Sequence, residues 1–498
     1  MGGVVTAAHP RPATFVQRAL AGHAAIGLLV GALLYLVCLS GAIAVIHDRW
    51  QRWEQPNIAE MHALTPAAAQ TAMTNVLASE RGRPATTHLY IRMPTPDLPR
   101  AVVTTDSGGR YIDAQGGIAG REAHSWTEFV LALHMYLNLP MTWGMILVGA
   151  LGVALAAAVV TGVLAHPRIL RDAFTLRARH DSQIARADWH NRLGVWTLPF
   201  ALAIALTGAF IGLGSVGFTV LAKAYSGGNL EAAYAPIFGA EATPDKRAAP
   251  PPDIARALTT LTARVPQASP TYVIVHDPGT RGQHVQIIAE HPRRLIYGET
   301  YAFDAAGRWR GAVGLADGAM GKQFAASTYN LHFGNFGGLA VELLYVLLGL
   351  ALCVITATGT TLWLQKRRRR GLGSDRLDAC WRVVVWGSPL AIVALTWVRA
   401  LGGPDAPLAA WFWAMMAAGM ALGMLRPSWI AAASLSAWLM SAIALTAGLH
   451  LAITLPSAGA VVALDLLGLG IPAVTLILSR YRSSGRKAAD GQARYSRA

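Results

Sequence analysis

The sequence predicts an all-α polytopic membrane bundle of about eight spans, internally duplicated over the first four, carrying two small α+β domains on one side. Three observations lead there. The chain has 498 residues, of which 53% are hydrophobic and only 14% charged, a balance typical of polytopic membrane proteins. Apolar stretches long enough to cross a hydrocarbon core of about 30 Å recur near 22–46, 141–165, 193–222 and 338–364, then near 383–400, 407–425, 428–452 and 459–479. Histidines recur in register within the first four stretches. His23 stands seventeen residues before Ser40-Gly41, and His190 seventeen before Thr207-Gly208. Leu133-His134 likewise precedes Thr161-Gly162 at nearly the spacing by which Leu331-His332 precedes Thr358-Gly359.

The first element, 1–47, has Arg11 and Arg18 ahead of an apolar run with no small-residue cleavage site after it, as in an uncleaved signal anchor. The formal net charge is +15, and the basic residues flank apolar runs: Arg168, Arg171, Arg177 and Arg179, the run Lys366 to Arg370, and the tail from Arg480 to Arg497. The positive-inside rule then places the N-terminus, the loops 167–189 and 366–381, and the tail 481–498 in the cytoplasm. Loops 48–125 and 223–325 fall outside. This accounts for the basic charge with a membrane lipid partner and no nucleic acid. Cys38, Cys353 and Cys380 form no CxxC or CxxCH, which excludes a disulfide framework and c-type haem attachment.

The two outer loops resemble each other. Pro66 to Ser79 has helical composition and precedes strand-like runs at 87–93, 100–106 and 110–116. Pro252 to Val265 is again helix-like, after a proline-rich linker at 248–252, and precedes strand-like runs at 271–276, 284–290 and 299–311. Each reads as a small α+β unit. Spans two and three with their basic loop occupy 126–222, and span four with its basic end occupies 326–370. Four further spans fill 371–480, where His450 is the lone histidine and Asp465 a lone intramembrane acid.

Ionisable residues inside a membrane are costly, and four in repeat-matched register point to a bound group. His23 and His190 lie at the inner ends of spans one and three. His134 and His332 lie at the outer ends of spans two and four. Two imidazoles from facing helices suit the axial positions of a non-covalent haem b, so an inner and an outer pair predict two haems. Glycines 22, 27, 31, 194, 334, 337 and 338 are candidates for making room for a flat macrocycle. Zinc fits less well, because no carboxylate or cysteine completes a four-ligand cage near either pair. His47 and His166 also sit at span ends and are rival ligands or propionate partners. His124, His180, His276, His284 and His291 read as solvent-exposed residues of loops or outer domains. Gly212-Leu213-Gly214-Ser215-Val216-Gly217 matches a dinucleotide fingerprint in letters only, and within an apolar span it reads as helix packing.

Around these residues the chain resembles the PepSY-associated transmembrane helix family of bacterial inner-membrane proteins. The resemblance rests on W-H-N-R-L-G-V-W at 189–196 with A-L-T-G at 205–208, and on L-H-F-G-N-F-G-G at 331–338 with the closing W-L-Q-K-R-R at 363–368. Both outer domains are similar to PepSY units, most clearly at Y-A-F-D-A-A-G-R, 301–308. It covers roughly residues 15–370, and span one departs from it, with G-H-A-A-I-G-L in place of the usual His-Arg-Trp-Leu-Gly. The resemblance implies a membrane-bound oxidoreductase of the ferric-siderophore reductase type. Electrons from an unidentified donor (a quinol, a dehydrogenase or a soluble reductant) would pass through haem b, held by His23, His190, His134 and His332, to a periplasmic ferric chelate. Two other classes stay open: a non-enzymatic PepSY interaction module, and a transporter of a small solute or metal.

Overall fold

The computed structural model describes residues 14–166, 168, 182–239, 245–454 and 461–475. Most of the basic loop at 167–189, His180 and the tail from 481 lie outside the described residues. Helix α1 (Phe15–Ala44) opens on a capping box in which Thr14 and Gln17 exchange side-chain-to-backbone bonds, satisfying N–H groups that a helix start leaves unpaired. The first half continues with α2 (His47–Glu54), α3 (Pro66–Ser79), β1 (His88–Arg92), β2 (Ala101–Thr105), β3 (Gly108–Ile112), β4 (Ile118–Arg121), α4 (Ser125–Tyr136) and α5 (Met141–Ala165). The second half runs α6 (Ser182–Trp196), α7 (Leu198–Gly212), α8 (Gly214–Tyr225), α9 (Leu230–Phe238), α10 (Ile254–Arg264), β5 (Ser269–His276), β6 (His284–Glu290), β7 (Glu299–Phe303), β8 (Trp309–Ala312), α11 (Met320–Phe333) and α12 (Gly338–Arg369).

The two α+β units join into one eight-stranded sheet, ordered β4-β3-β2-β1-β5-β6-β7-β8. The seam is an antiparallel pairing of β1 with β5, in which Tyr90 faces Ile274. Each unit alone would leave its first strand as an open edge, and pairing the two removes both. Leu89, Ile91, Val273, Val275, Val285 and Ile287 form one core with Met73 and Val76 of α3 and Leu258 and Leu261 of α10. Period-2 alternation puts Arg92 on the opposite face, where it donates to Gln51 of α2 at 3.0 Å. The duplication persists in detail: Asp113 and Asp304 each accept two backbone N–H groups in a tight turn. The glycine that follows, Gly116 or Gly307, has positive φ and lies against the first turns of α3 or α10.

Against the eight expected spans, the described residues contain six helices long and apolar enough to cross a membrane, or seven if a bent pair counts as one. The difference arises at two places. The stretch at 193–222, expected as one span, is interrupted by a 67° bend between α6 and α7 and again at Leu213. The bend falls just before Pro199, which has no N–H to continue the helical ladder. Of the expected span near 459–479, the described residues form the apolar helix α17 (Val461–Thr475), and the rest lies outside the described residues; α17 follows α13 (Asp375–Arg382), α14 (Ser388–Gly402), α15 (Leu408–Leu425) and α16 (Ala432–Thr454). A π-helical turn at Val383–Gly387 joins α13 to α14 as one span. Glycines let α5 and α7 approach closely: a Cβ on Gly212 would stand 2.7 Å from the Gly149 Cα. Gly212 is therefore a packing residue, as the sequence indicates, while Gly214 and Gly217 have open space around them.

The C-terminal helices back the helix that carries His134. Trp126, Phe129, Val130 and Leu133 of α4 share a core with Ile392, Leu395, Phe412 and Met416, and the Trp126 indole donates to the Ile392 carbonyl at 2.9 Å. Helix α2 ties the parts together. Its Glu54 accepts the Trp126 and Thr127 backbone N–H groups at 3.0 and 2.7 Å, a negative charge at the positive end of α4. Its Arg49 pairs with Glu342 of α12 at 3.0 Å.

Candidate functional site: two histidine pairs

His134 sits near the end of α4 and His332 near the end of α11, and both helices stop on a left-handed residue, Leu137 and Gly334 respectively. Their rings meet with centroids 5.9 Å apart. His23 of α1 and His190 of α6 meet at 6.1 Å. The four histidines thus fall into the two pairs that the repeat predicts, each with one member from each half. His134 packs against Gly41 and His23 lies eighteen residues earlier on the same helix. At 1.5 Å per residue the pairs are separated by roughly 27 Å along α1, one toward each end of a hydrocarbon core.

Every imidazole is seated the same way, on a glycine of another helix. A Cβ added to Gly162 would stand 3.2 Å from Cε1 of His23. At Gly41 the distance to His134 would be 2.7 Å, and at Gly359 and Gly208 those to His190 and His332 would both be 3.0 Å. Only a missing side chain admits a ring there. The carbonyl four residues before each glycine accepts from Nδ1: Ala158 from His23, Val37 from His134 and Ile355 from His190, all at 2.9 Å. His332 reaches the corresponding Ile204 carbonyl and also donates to Thr207 Oγ1 at 2.9 Å. That hydroxyl is free to accept because its own proton goes to the Ala203 carbonyl at 2.6 Å. Carbonyls only accept, so Nδ1 carries the proton and Nε2 keeps its lone pair. This is how a metal-binding histidine is oriented by its second bond.

The Ser/Thr-Gly pairs are therefore sockets, and this is what sequence reasoning missed. Spacing linked each pair to the histidine of its own helix or segment. In space His23 of α1 uses the glycine of α5, and His134 of α4 uses that of α1. His190 of α6 uses the glycine of α12, and His332 of α11 that of α7. The glycines named as making room, 22, 27, 31, 194, 334, 337 and 338, are not the ones that meet the rings. A signal was present, since all four sockets share one dipeptide pattern.

A cavity of about 250 Å³ adjoins the His134–His332 pair, lined by apolar groups that include Leu131, Leu155, Phe200, Ile204 and Leu352. His47 also lines it, held by the Ala44 carbonyl at 3.2 Å and near Asp48 at 3.4 Å. His166 instead ends α5 at the other end of that helix. Two imidazoles facing each other across about 6 Å can share one metal ion, each nitrogen at about 2 Å. Among the described residues no group of three or more His, Cys, Asp or Glu side chains is placed to hold a metal ion. Each pair thus offers two imidazole nitrogens and no further side-chain ligand among the described residues.

The description "PepSY-associated TM region" matches residues 20–366, a segment that contains all four histidines, all four sockets and the whole sheet. The chain belongs to the PepSY-associated transmembrane family. It is also similar to an uncharacterized protein of Pseudomonas aeruginosa, 28% identical over 261 residues. That alignment covers 48% of this chain and 64% of the relative, so the chain spans somewhat under two thirds of the curated relative it matches. In this family member the matched region ends within α12, and the C-terminal helices lie beyond it.

Of the histidines expected to be solvent-exposed, His124 and His276 are buried, and His284 and His291 are partly buried. His124 is buried and bonds Glu122 at 2.8 Å. His276 is buried in the sheet and stacks on the partly buried His284, with ring centroids 4.2 Å apart. Burial first, then the neighbouring His284 and His88, push His276 down to about 4, so the row at the seam carries no charge on its central ring at neutral pH. His276 and His284 stand in the strand-like runs that the sequence indicated, and His124 immediately precedes α4.

Proposed function

We propose that this membrane protein transfers electrons across the bilayer through two haem b groups to a ferric chelate, such as a ferric siderophore, on the sheet side. The observation that carries the reading is the fourfold socket. Four imidazoles, paired across the repeat, all turn Nδ1 to a backbone acceptor and leave Nε2 for a ligand. His134 with His332, and His23 with His190, would be the residues that hold haem b, whose chemistry when bound is single-electron exchange. The protein's own part is positional. The carbonyls of Ala158, Val37, Ile355 and Ile204 fix each ring, and the apolar lining beside His134 and His332 keeps water away. The sheet would present the chelate to the nearby pair. Reduction to Fe(II) weakens binding to hard oxygen donors, and the metal is released. The basic end of α12, Lys366 to Arg369, supports a cytoplasmic side opposite the sheet, which corresponds to an inner-membrane protein with a periplasmic sheet.

The test is an absorption spectrum of the detergent-purified protein, oxidised and then dithionite-reduced, with a pyridine haemochrome count. About two b haems per chain are expected, with sharp bands on reduction. A colourless protein from cells supplied with haem would overturn the reading and leave a PepSY interaction module or a transporter as the alternatives.

A further inference from the structure

The duplication gives α2 and α8 equivalent places. His190 follows His23, and Gly208 follows Gly41, by 167 residues. The same offset carries the start of α2 at His47 onto the start of α8 at Gly214, and Trp53 onto Val220. Their surroundings differ. Trp53 is buried: its indole donates to Asp465 of α17 at 2.9 Å and stacks on His450 of α16, with ring centroids 4.1 Å apart. Val220 is 60% exposed. The helices that carry His134 and His332 repeat the contrast. Trp126, eight residues before His134, is buried against the C-terminal helices, whereas Phe324, eight before His332, is 69% exposed. The cover that α13 to α17 give the first half thus has no counterpart over Val220 and Phe324 among the described residues.

Helix α8 divides into three sectors. At about 100° per residue, Ser215, Thr219 and Lys223 form one polar strip along it, and all three are exposed. Beside that strip, Phe218 meets Tyr234 of α9 with ring centroids 4.3 Å apart, and Ala222 is buried. The remaining sector holds Val216, Val220, Leu221 and Tyr225, all exposed, Tyr225 at 85%. Water on every side would leave that apolar sector uncovered, and hydrocarbon on every side would strip the polar strip of hydrogen bonds. The position of the helix offers both surroundings. Gly208 of α7 seats His332, and α8 begins six residues later, about 9 Å at helical rise, after a break at Leu213. The chain then turns through the positive-φ Gly227 and Gly228 into α9, which packs against α11. A Cβ on Gly239, just after α9, would stand 3.2 Å from Nε2 of Gln286 in β6. The hairpin therefore lies between the end of a span and the sheet. No acidic residue occurs from 198 to 230, and Lys223 is the one cation of that stretch.

We propose that α8 is a lipid-binding helix that lies in the bilayer interface on the sheet side. Val216, Val220, Leu221 and Tyr225 enter the upper acyl chains, and Ser215, Thr219 and Lys223 face the phosphates and water, the arrangement of an interfacial amphipathic helix. Lys223 and Tyr225, near its end, are residue types that settle at that level, and the absence of acid suits the phosphate layer. Phospholipid takes, in the second half, the place that the C-terminal helices take in the first. Through α9 it backs α11, the helix that carries His332.

The experiment places the full-length protein in phosphatidylcholine nanodiscs in which part of the lipid carries a diazirine on its acyl chain. After illumination, peptide mass spectrometry maps the lipid adducts, and a water-soluble amine-reactive ester probes Lys223 in a parallel sample. Adducts should appear on Val216, Val220, Leu221 and Tyr225 as they do on Leu343 and Leu347, exposed residues of the span α12, and be lost from Ser215, Thr219 and Lys223. Lys223 should react with the ester. Val220→Asp, a change at an exposed position, should abolish the adducts on Val216, Leu221 and Tyr225 while those on α12 persist. Absence of adducts on wild-type α8, with α12 labelled, would overturn the proposal. A reactive Lys223 would then put the hairpin in water, and a shielded one would put it under a second protein chain. Neither readout involves a bound redox group, so the result is independent of the electron-transfer reading.

Discussion

His332→Ala should lower haem content from about two groups per chain to about one, yet abolish transmembrane reduction of a ferric chelate. The two readouts differ for a physical reason. The pairs lie roughly 27 Å apart along α1 and share no side chain, so loss of one should leave occupancy of the other intact. In the proposed function electrons would pass through both in series, so loss of either should stop them. His190→Ala should give the same halved content with the other centre missing, and the double variant should be colourless. Loss of an outer-shell partner alone typically costs about 10- to 100-fold in metal affinity or activity, and removing the ligand itself should cost at least that. Pyridine haemochrome counts and chelate reduction by proteoliposomes, with reductant trapped inside, measure the two effects. Full haem content in His332→Ala would remove that residue from the site. A content of one with undiminished reduction would mean that the pairs do not act in series.

How much of this was legible in the sequence depends on whether the signal was local. Helices, strands and their duplication announced themselves through hydropathy and alternation. So did the pairing of His23 with His190 and of His134 with His332, because a repeat places equivalent residues around one axis. The fusion of two α+β units into one sheet was not legible. Nothing in His88 to Arg92 or Ser269 to His276 says which strand lies beside it, and the pairing is decided by the removal of two edges. The partner of Asp465 was hidden for a similar reason, since Trp53 lies 412 positions away. The break in the third span was half visible in Pro199, but a proline in a membrane helix can also pass with a mild kink. The sockets are the instructive case. Ser40-Gly41 and its three equivalents stand out as a pattern in the sequence, but spacing assigns them to the wrong histidines, because spacing along one helix cannot report which ring packs from the next.

Gly41→Ala should empty the site beside the sheet without altering any ligand. The new Cβ would stand 2.7 Å from Cε1 and 2.9 Å from Nδ1 of His134, closer than such atoms approach in folded proteins. The ring cannot turn aside cheaply, because its Nδ1 is bonded to the Val37 carbonyl one turn away on the same helix as the glycine. It must therefore give up that bond or push α4 away from α1. Overpacking of this kind costs about 1–3 kcal/mol, enough to displace Nε2 from the position that His332 faces. Haem content should again fall by about one per chain. Gly359→Ala, whose Cβ would press on His190 at 3.0 Å, should remove the other centre. Gly27→Ala, on the same helix as Gly41 but with nothing within 4 Å of its Cβ, should leave the centre beside the sheet in place. The comparison separates a socket from general sensitivity of α1 to added bulk. If Gly41→Ala and Gly27→Ala behaved alike, the glycine would be a packing residue only, and the fourfold socket would lose its claim to set the chemistry.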